Sequence, residues 1–331
     1  MRVTNKSVYF PYQRNLEEIQ NRRFKEQMRL STSKDIVNIA DAPDRLVDVK
    51  QLSSKLSENY KYISINDDAL GEMRIMADTM ESISDNLQKI RQLTIDATQI
   101  GSSGNIFSLA TYIKGIMQDT VILANNDFQG RFIFGGTKTT PDSLDITQEA
   151  PIKEPFELIQ GEPTADNKSG LKVVFKGNNE LRAYNKDAKT TEVMNTASNE
   201  VFGNQSTEVF DAIIQVYNLL AYDNNGEQRQ LGDYMTNEEI SKVSFHQQRI
   251  ATLAEKLDNA SGRNGAKLAR VELVRDQMVE ENARLNEFLS LKQDTDIAKS
   301  TINLKLEENA LNYSLQVGSK LIQNSLFDFL R

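Results

Sequence analysis

One segment limits the fold of this chain more than any other: "LGEMRIMADTMESISDNLQKIRQLTIDAT", residues 70–98. Its apolar residues Leu70, Met73, Ala77, Met80, Ile83, Leu87, Ile90, Leu93 and Ala97 recur every three or four positions, which is the spacing of one face of an α-helix. A strand cannot use that period. A helix with a continuous apolar stripe is marginal by itself in water, so the segment demands partner helices. "GSSGN" (101–105) ends it, and a second stripe follows through Ile106, Leu109, Ile113, Ile116, Thr120 and Leu123. Two helices joined by a short glycine turn predict a helical hairpin.

The rest of the chain divides around this hairpin. A helical pattern runs from Asn15 to Leu30 behind Pro11, "STSKDIVNIADAPDRL" interrupts it, and a second helix is expected from about Asp44 through Leu56. After the hairpin comes "NDFQGRFIFGGTKTTP" (126–141), where Gly130 reads as a helix C-cap. Phe132 and Phe134 alternate as in a strand, and Gly135-Gly136 reads as a turn. "KEPFELI", "LKVVFKG" and "ELRAY" then read as short strands, and four of the six prolines fall between Pro141 and Pro163. Helix resumes at "TEVFDAIIQVYNLLAYD" and, past "NNGEQRQLGDYMT", runs to the C-terminus, the last hundred residues lacking proline. There Ile297, Leu304 and Leu311, then Leu315 and Ile322, follow a seven-residue spacing, with Leu326 beyond and Thr301 and Glu308 weakening the companion seam. The predicted class is mainly α with a small β domain. N- and C-terminal arms would form an antiparallel long-helix or coiled-coil rod enclosing a central β-rich insert.

The residues for most familiar chemistries are missing. The 331-residue chain has no cysteine and one histidine, His246, in the charged helical run "KVSFHQQRIATL", so thiolate chemistry and histidine-based metal sites are excluded by count. "DNNGEQRQLGDY" departs from a calcium loop, with Gly226 at its fourth position and Tyr234 at its twelfth. "FIFGGT" lacks the spacing of a dinucleotide loop, and "GSSGN" lacks the lysine of a phosphate loop. No enzyme, cofactor or metal is expected. The net charge of −8 gives no drive toward nucleic acid or anionic lipid. The basic cluster Arg22, Arg23, Lys25 and Arg29 reads most simply as a solvated helix face, with a polyanion or membrane contact as the sharper alternative. No stretch reaches the ~18 apolar residues of a membrane helix. The N-terminus "MRVTNKSVYFPYQRNLEEIQ" has no apolar core of a cleavable signal peptide.

Three stretches carry a resemblance to the bacterial flagellin family. Leu87, Ile90, Arg91 and Leu93 resemble the family's "L-x-x-I-R-x-L" element. Asn125, Phe128, Gly130, Phe132, Phe134, Gly135, Gly136 and Thr137 resemble its "N-x-x-F-x-G-x-Y/F-x-F-G/A-G-T/S" run. The C-terminal tract, with Asp296 and Ala298, is similar to its returning arm. The start "MRVTN" and the ending "NSLFDFLR" look more like the subunits that join hook to filament than like filament subunits. At one point the chain departs from the family pattern: Ser33 stands where a glycine is usual, and Ala42-Pro43 where aspartate-proline is.

The resemblance implies axial-core arms at 1–40 and 291–331, outgoing and returning helical segments at 41–140 and 206–290, and a β-rich domain at 141–205. It implies a structural subunit at the hook–filament junction, polymerising through its arms. The alternatives are a filament flagellin and, further off, a secreted adhesin or enzyme on a helical stalk. Expected partners are copies of itself, a neighbouring hook-associated junction protein, filament flagellin and an export chaperone at the C-terminal helix. Export to the extracellular flagellum would proceed without a cleaved signal. The expected interface residues are Leu87, Ile90, Leu93, Ile297, Leu304, Leu311, Leu315, Ile322 and Leu326. The expected hinge to the β domain comprises Phe128, Gly130, Phe132, Phe134, Gly135 and Gly136. Arms that fold only against neighbours would exchange their amide hydrogens readily in the monomer.

Overall fold

The computed structural model describes residues 6–36, 42–99, 106–141, 154–230 and 232–329, with side chains of 6–9, 99 and 321–329 left aside. Seven helices appear among them: α1 (Lys6–Thr32), α2 (Pro43–Gln99), α3 (Ile106–Ala124), α4 (Ser198–Phe202), α5 (Glu208–Ala221), α6 (Asn237–Gln293) and α7 (Ile297–Phe329). Three antiparallel two-stranded hairpins complete the fold: β1 (Asp127–Phe128) with β2 (Arg131–Phe132), β3 (Phe156–Gln160) with β4 (Leu171–Phe175), and β5 (Ala183–Asn185) with β6 (Thr191–Val193). The class is the predicted one, long helices with a small β region.

The chain forms two compact units, residues 1–60 with 278–331, and residues 61–277. The second holds the main core. On α2, Asn66, Met73, Met80, Leu87 and Thr94 repeat every seven residues, as do Ala69, Met76, Ile83, Ile90 and Ala97, and all are buried. On α6, Ile250, Leu257, Asn264 and Val271 keep the same repeat and are also buried. This is a coiled-coil seam, with Asn264 as a polar layer of the kind that fixes register, while Asn66 in the same repeat meets the β5–β6 hairpin. Asn264 donates to the Met73 carbonyl oxygen at 2.9 Å, and Asn66 donates to the Lys186 carbonyl oxygen at the same distance. Helices α3 and α5 and hairpin β3–β4 close the core. At its centre Phe134, Phe156, Phe202 and Phe210 meet with ring centroids 4.7–5.5 Å apart.

Several boundaries differ from expectation. The two helices expected between Asp44 and residue 100 are one helix of 57 residues: the polar stretch between the stripes contains no proline and no glycine pair to break it. Pro11 lies inside α1 rather than ahead of it. The C-terminal tract is two helices, because the chain breaks between Gln293 and Ile297. α3 ends at Ala124, so Gly130 is not its cap. Gly130 instead follows Gln129 in the β1–β2 turn, both left-handed at φ 76° and 53°, the pair a tight primed turn requires. The expected strand through Phe134 stops at Phe132; Ile133 and Phe134 are both fully buried as the chain turns into the core. The "GSSGN" turn lies outside the described residues.

Candidate functional site

The terminal unit is built from α1, α7, the start of α2 and the end of α6. α1 and α7 run antiparallel, pinned at Tyr12 Oη donating to the Ser314 carbonyl oxygen (3.1 Å) and at Arg22 Nε on Glu307 (2.8 Å). Close approach is needed at Gly318, where a Cβ would stand 2.1 Å from the Tyr12 hydroxyl. At the other end both segments leave helix together. Asp35 N donates to the Gln293 carbonyl oxygen at 2.7 Å, Thr295 N donates to the Ser33 carbonyl oxygen at 3.0 Å, and Lys34 and Asp294 form an isolated bridge. Arg29 and Arg45 both clasp Asp35, at 3.1 and 2.8 Å. Between the start of α2 and the end of α6, Lys55 and Asn59 bind Glu281, and Lys292 pairs with Asp48 at 2.9 Å. The Lys55 hydrogen bond holds the Glu281 carboxyl below the usual carboxylate range. Exposed pairs of this kind set register more than they stabilise.

Burial in this unit is inverted. Among the described residues only Leu56, Met278 and Leu285 are buried hydrophobics, whereas thirteen large hydrophobic side chains are exposed. On α7 the face toward α1 carries Ser300, Leu304, Glu307, Leu311, Ser314 and Gly318, each buried or half-buried. The opposite face carries Ile302, Leu306, Tyr313 and Val317, each at least 54% exposed. The sequence-derived seam is therefore divided: Leu304 and Leu311 face α1, while Ile297 and Leu315 flank that face in the open. The side chains of Ile322 and Leu326 lie outside the described residues. Sequence reasoning missed the outer stripe and, on α6, Phe288 and Leu291, which are 55% and 75% exposed. Their spacing by three or four was the available signal. Leu87 and Ile90 belong to the core of the other unit, and Leu93 packs against it.

The 125–137 run docks three elements within the larger unit. Asn125 grips Phe156 at both backbone groups, its Oδ1 accepting from the amide at 2.9 Å and its Nδ2 donating to the carbonyl at 2.8 Å. Phe128 packs its ring onto Gly71 of α2, where a Cβ would stand 2.7 Å from Cζ. At Gly136 (φ 69°) a Cβ would fall 2.1 Å from the Asn178 carbonyl oxygen, and Asn178 N donates to the Gly135 carbonyl oxygen at 3.2 Å. Thr137 joins the same loop through Asn178 and Glu180 (2.7–2.9 Å). The two glycines serve a backbone-to-backbone approach, which their reading as a plain turn left out. Nearby, Glu72 is fully buried on α2, paired with Arg182 of the segment leading into β5 and 4.0 Å from Arg131 of β2.

Chemistry-bearing residues are not gathered. Among the described residues no group of three His, Asp or Glu side chains is placed to hold a metal, and no helix is long and apolar enough to cross a membrane. His246 lines a cleft of about 310 Å³ with Asp166, Lys168, Gln215, Asn218 and Lys242. Burial, with Arg249 nearby, holds its pKa below the ordinary value.

Residues 3–139 match the bacterial flagellin N-terminal helical region. Flagellar hook-associated protein 3 of Escherichia coli K12 is 29% identical over 140 residues, 40% of this chain and 44% of that protein's length. A flagellar hook-associated protein from Vibrio parahaemolyticus superposes with a TM-score of 0.58 at 14% identity, covering 76% of this chain and 99% of the other. Xanthomonas campestris FlgL superposes with a TM-score of 0.54 at 12% identity, covering 73% and 99%. At such identities these two likenesses speak for the fold. Sequence over the first 140 residues and fold over three quarters of the chain agree: residues 3–139 match the bacterial flagellin N-terminal helical region, and the chain is similar to flagellar hook-associated protein 3.

Proposed function

We propose that the chain is a structural subunit of the bacterial flagellum, joining hook to filament and polymerising through the helices of its terminal unit. The inverted burial of that unit carries the reading: among its described residues thirteen large hydrophobic side chains are exposed against three buried. Water opposes such a surface, and neighbouring copies packed against it relieve the cost. A subunit repeated in a ring or helix makes the same contact at every step. The likeness to hook-associated proteins supports the same placement.

On this reading Ile297, Leu304, Leu311, Leu315, Ile322 and Leu326 serve the axial arm, joined by the outer stripe of α7. Leu87, Ile90 and Leu93 hold the chain's own helices together. Phe128, Gly130, Phe132, Phe134, Gly135 and Gly136 fix the β hairpins on those helices. The partners are copies of this chain, a neighbouring hook-associated junction protein and filament flagellin, with an export chaperone on the C-terminal helix before assembly. The protein works outside the cell after export without a cleaved signal, and it performs no catalysis. A deletion strain viewed by electron microscopy tests this. Complete hooks with flagellin lost to the medium are expected. Hooks that keep their junction proteins and lack only the filament subunit would make the chain a filament flagellin instead.

A further inference from the structure

The α1–α7 pair leaves two carboxylates half-satisfied in one cleft. Glu26 of α1 is 8% exposed; its Oε1 accepts from Arg29 Nη1 at 2.7 Å, and its buried Oε2 has no hydrogen-bond partner among the described residues. Glu307 of α7 repeats the situation, with Oε1 accepting from Arg22 Nε at 2.8 Å and Oε2 buried and unpartnered. Both line a cleft of about 390 Å³ with Arg22, Lys25, Arg29, Asn303 and Leu306. Buried acceptors are seldom left without a donor, so the cleft is shaped for something that donates.

Charge narrows what that is. Arg22 and Arg29 already bind one oxygen of each carboxylate, and Arg29 also binds Asp35 at 3.1 Å, so these charges are met and a metal ion or another ammonium would stand beside guanidinium groups. An anion brings acceptors where donors are needed. A neutral amide or hydroxyl fits both conditions. The rim is apolar: Leu306 is 60% exposed and continues into the outer stripe of α7. Within that stripe, between Leu306 and Tyr313, sits Asn309, an exposed residue with no hydrogen-bond partner among the described residues. We infer that the cleft is a docking site for a second copy of this chain, which inserts the Asn309 amide between Glu26 and Glu307 while the apolar stripe packs on the rim. The inference rests on the assembly reading and gives it a specific contact.

The test uses flagella purified from cells expressing the full chain with the photo-crosslinker p-benzoylphenylalanine in place of Asn303. Irradiation is expected to give a product of two copies of the chain. Asn309→Asp, which sets a third carboxylate against the pair, is expected to reduce that product at least tenfold. Glu307→Gln, which restores a donor, is expected to recover it in the double variant. Hydrogen exchange of α1 in each purified variant, unchanged from the parent, separates lost docking from lost folding. Should the crosslinker at 303 block folding, copies of the Asn309→Asp chain retained per flagellum are counted instead, with the same tenfold loss expected. A chain present in flagella that yields no two-copy product, or a product with a different protein, overturns the inference. So does an Asn309→Asp variant that behaves as the parent. Absence of the chain from flagella fails the assembly reading itself.

Discussion

At the scale of single residues, Ser33 shows what the sequence could and could not say. Its departure from the family's glycine was visible in the chain; that the position is left-handed, at φ 58°, was not. A side chain there costs roughly 1–2 kcal/mol, and glycine gives back part of that relief through its freer unfolded chain. Ser33→Gly is therefore expected to stabilise the α1–α7 end by about 0.5–1 kcal/mol, read as a higher thermal midpoint of the terminal helices. His246 is the only histidine, which makes its titration separable. Burial and Arg249 hold its pKa below the ordinary value. Lys242 stands on the same helix, and Asp166 and Lys168 face it from the β3–β4 loop. The unfolded chain takes up this proton first, so the neutral ring's contribution is present above the unfolded pKa and is lost as pH falls from there toward the lower folded pKa. Urea titrations at pH 7.5 and 5.5 are expected to show lower stability at 5.5, and His246→Gln is expected to flatten that difference. An unchanged difference in the variant would assign it to carboxylates.

At the scale of elements, the docking of the hairpins on α2 depends on one carboxylate. Glu72 is fully buried, and Arg182, which it binds, is 17% exposed at its side chain. Glu72→Ala leaves that guanidinium without its counter-charge inside the protein and is expected to cost about 3–5 kcal/mol, measured by urea denaturation of residues 61–277 within the full chain. A loss under 1 kcal/mol would mean that solvent reaches the pair. Nothing in the sequence distinguished Glu72: an acidic residue inside a charged helix reads as surface, and its partner lies 110 positions away. The seam of α2 was legible because it is periodic. Its polar members Asn66 and Thr94 escaped a search for apolar residues although they sit in the same seven-residue register. The Gly135–Gly136 pair was legible as a departure from helix, while its tight approach to Asn178 required the fold.

At the scale of the whole molecule, the two units differ in kind. Residues 61–277 hold thirty-nine of the forty-two buried hydrophobics among the described residues, and the terminal unit holds three. Local stability follows buried apolar contacts. Amides of α1 and α7 in the isolated protein are therefore expected to exchange at least a hundredfold faster than those of α2 around Met80 and Leu87, and to slow on incorporation into flagella. Equal protection in the isolated protein would show that the terminal helices need no neighbours.

The sequence by itself determined that the chain is made of long helices needing apolar partners, that a β-rich stretch interrupts them, and which family it resembles. Each of these follows from local geometry: helix period, turn chemistry and the spacing of glycines act over a few residues and can be read there. Only the tertiary structure decided that Leu304 turns inward while Ile297 and Leu315 stay open, that Glu72 is buried, and that Glu26 and Glu307 share a cleft. Burial and hydrogen-bond satisfaction depend on what stands across the gap, and in a chain that returns on itself that neighbour comes from hundreds of residues away.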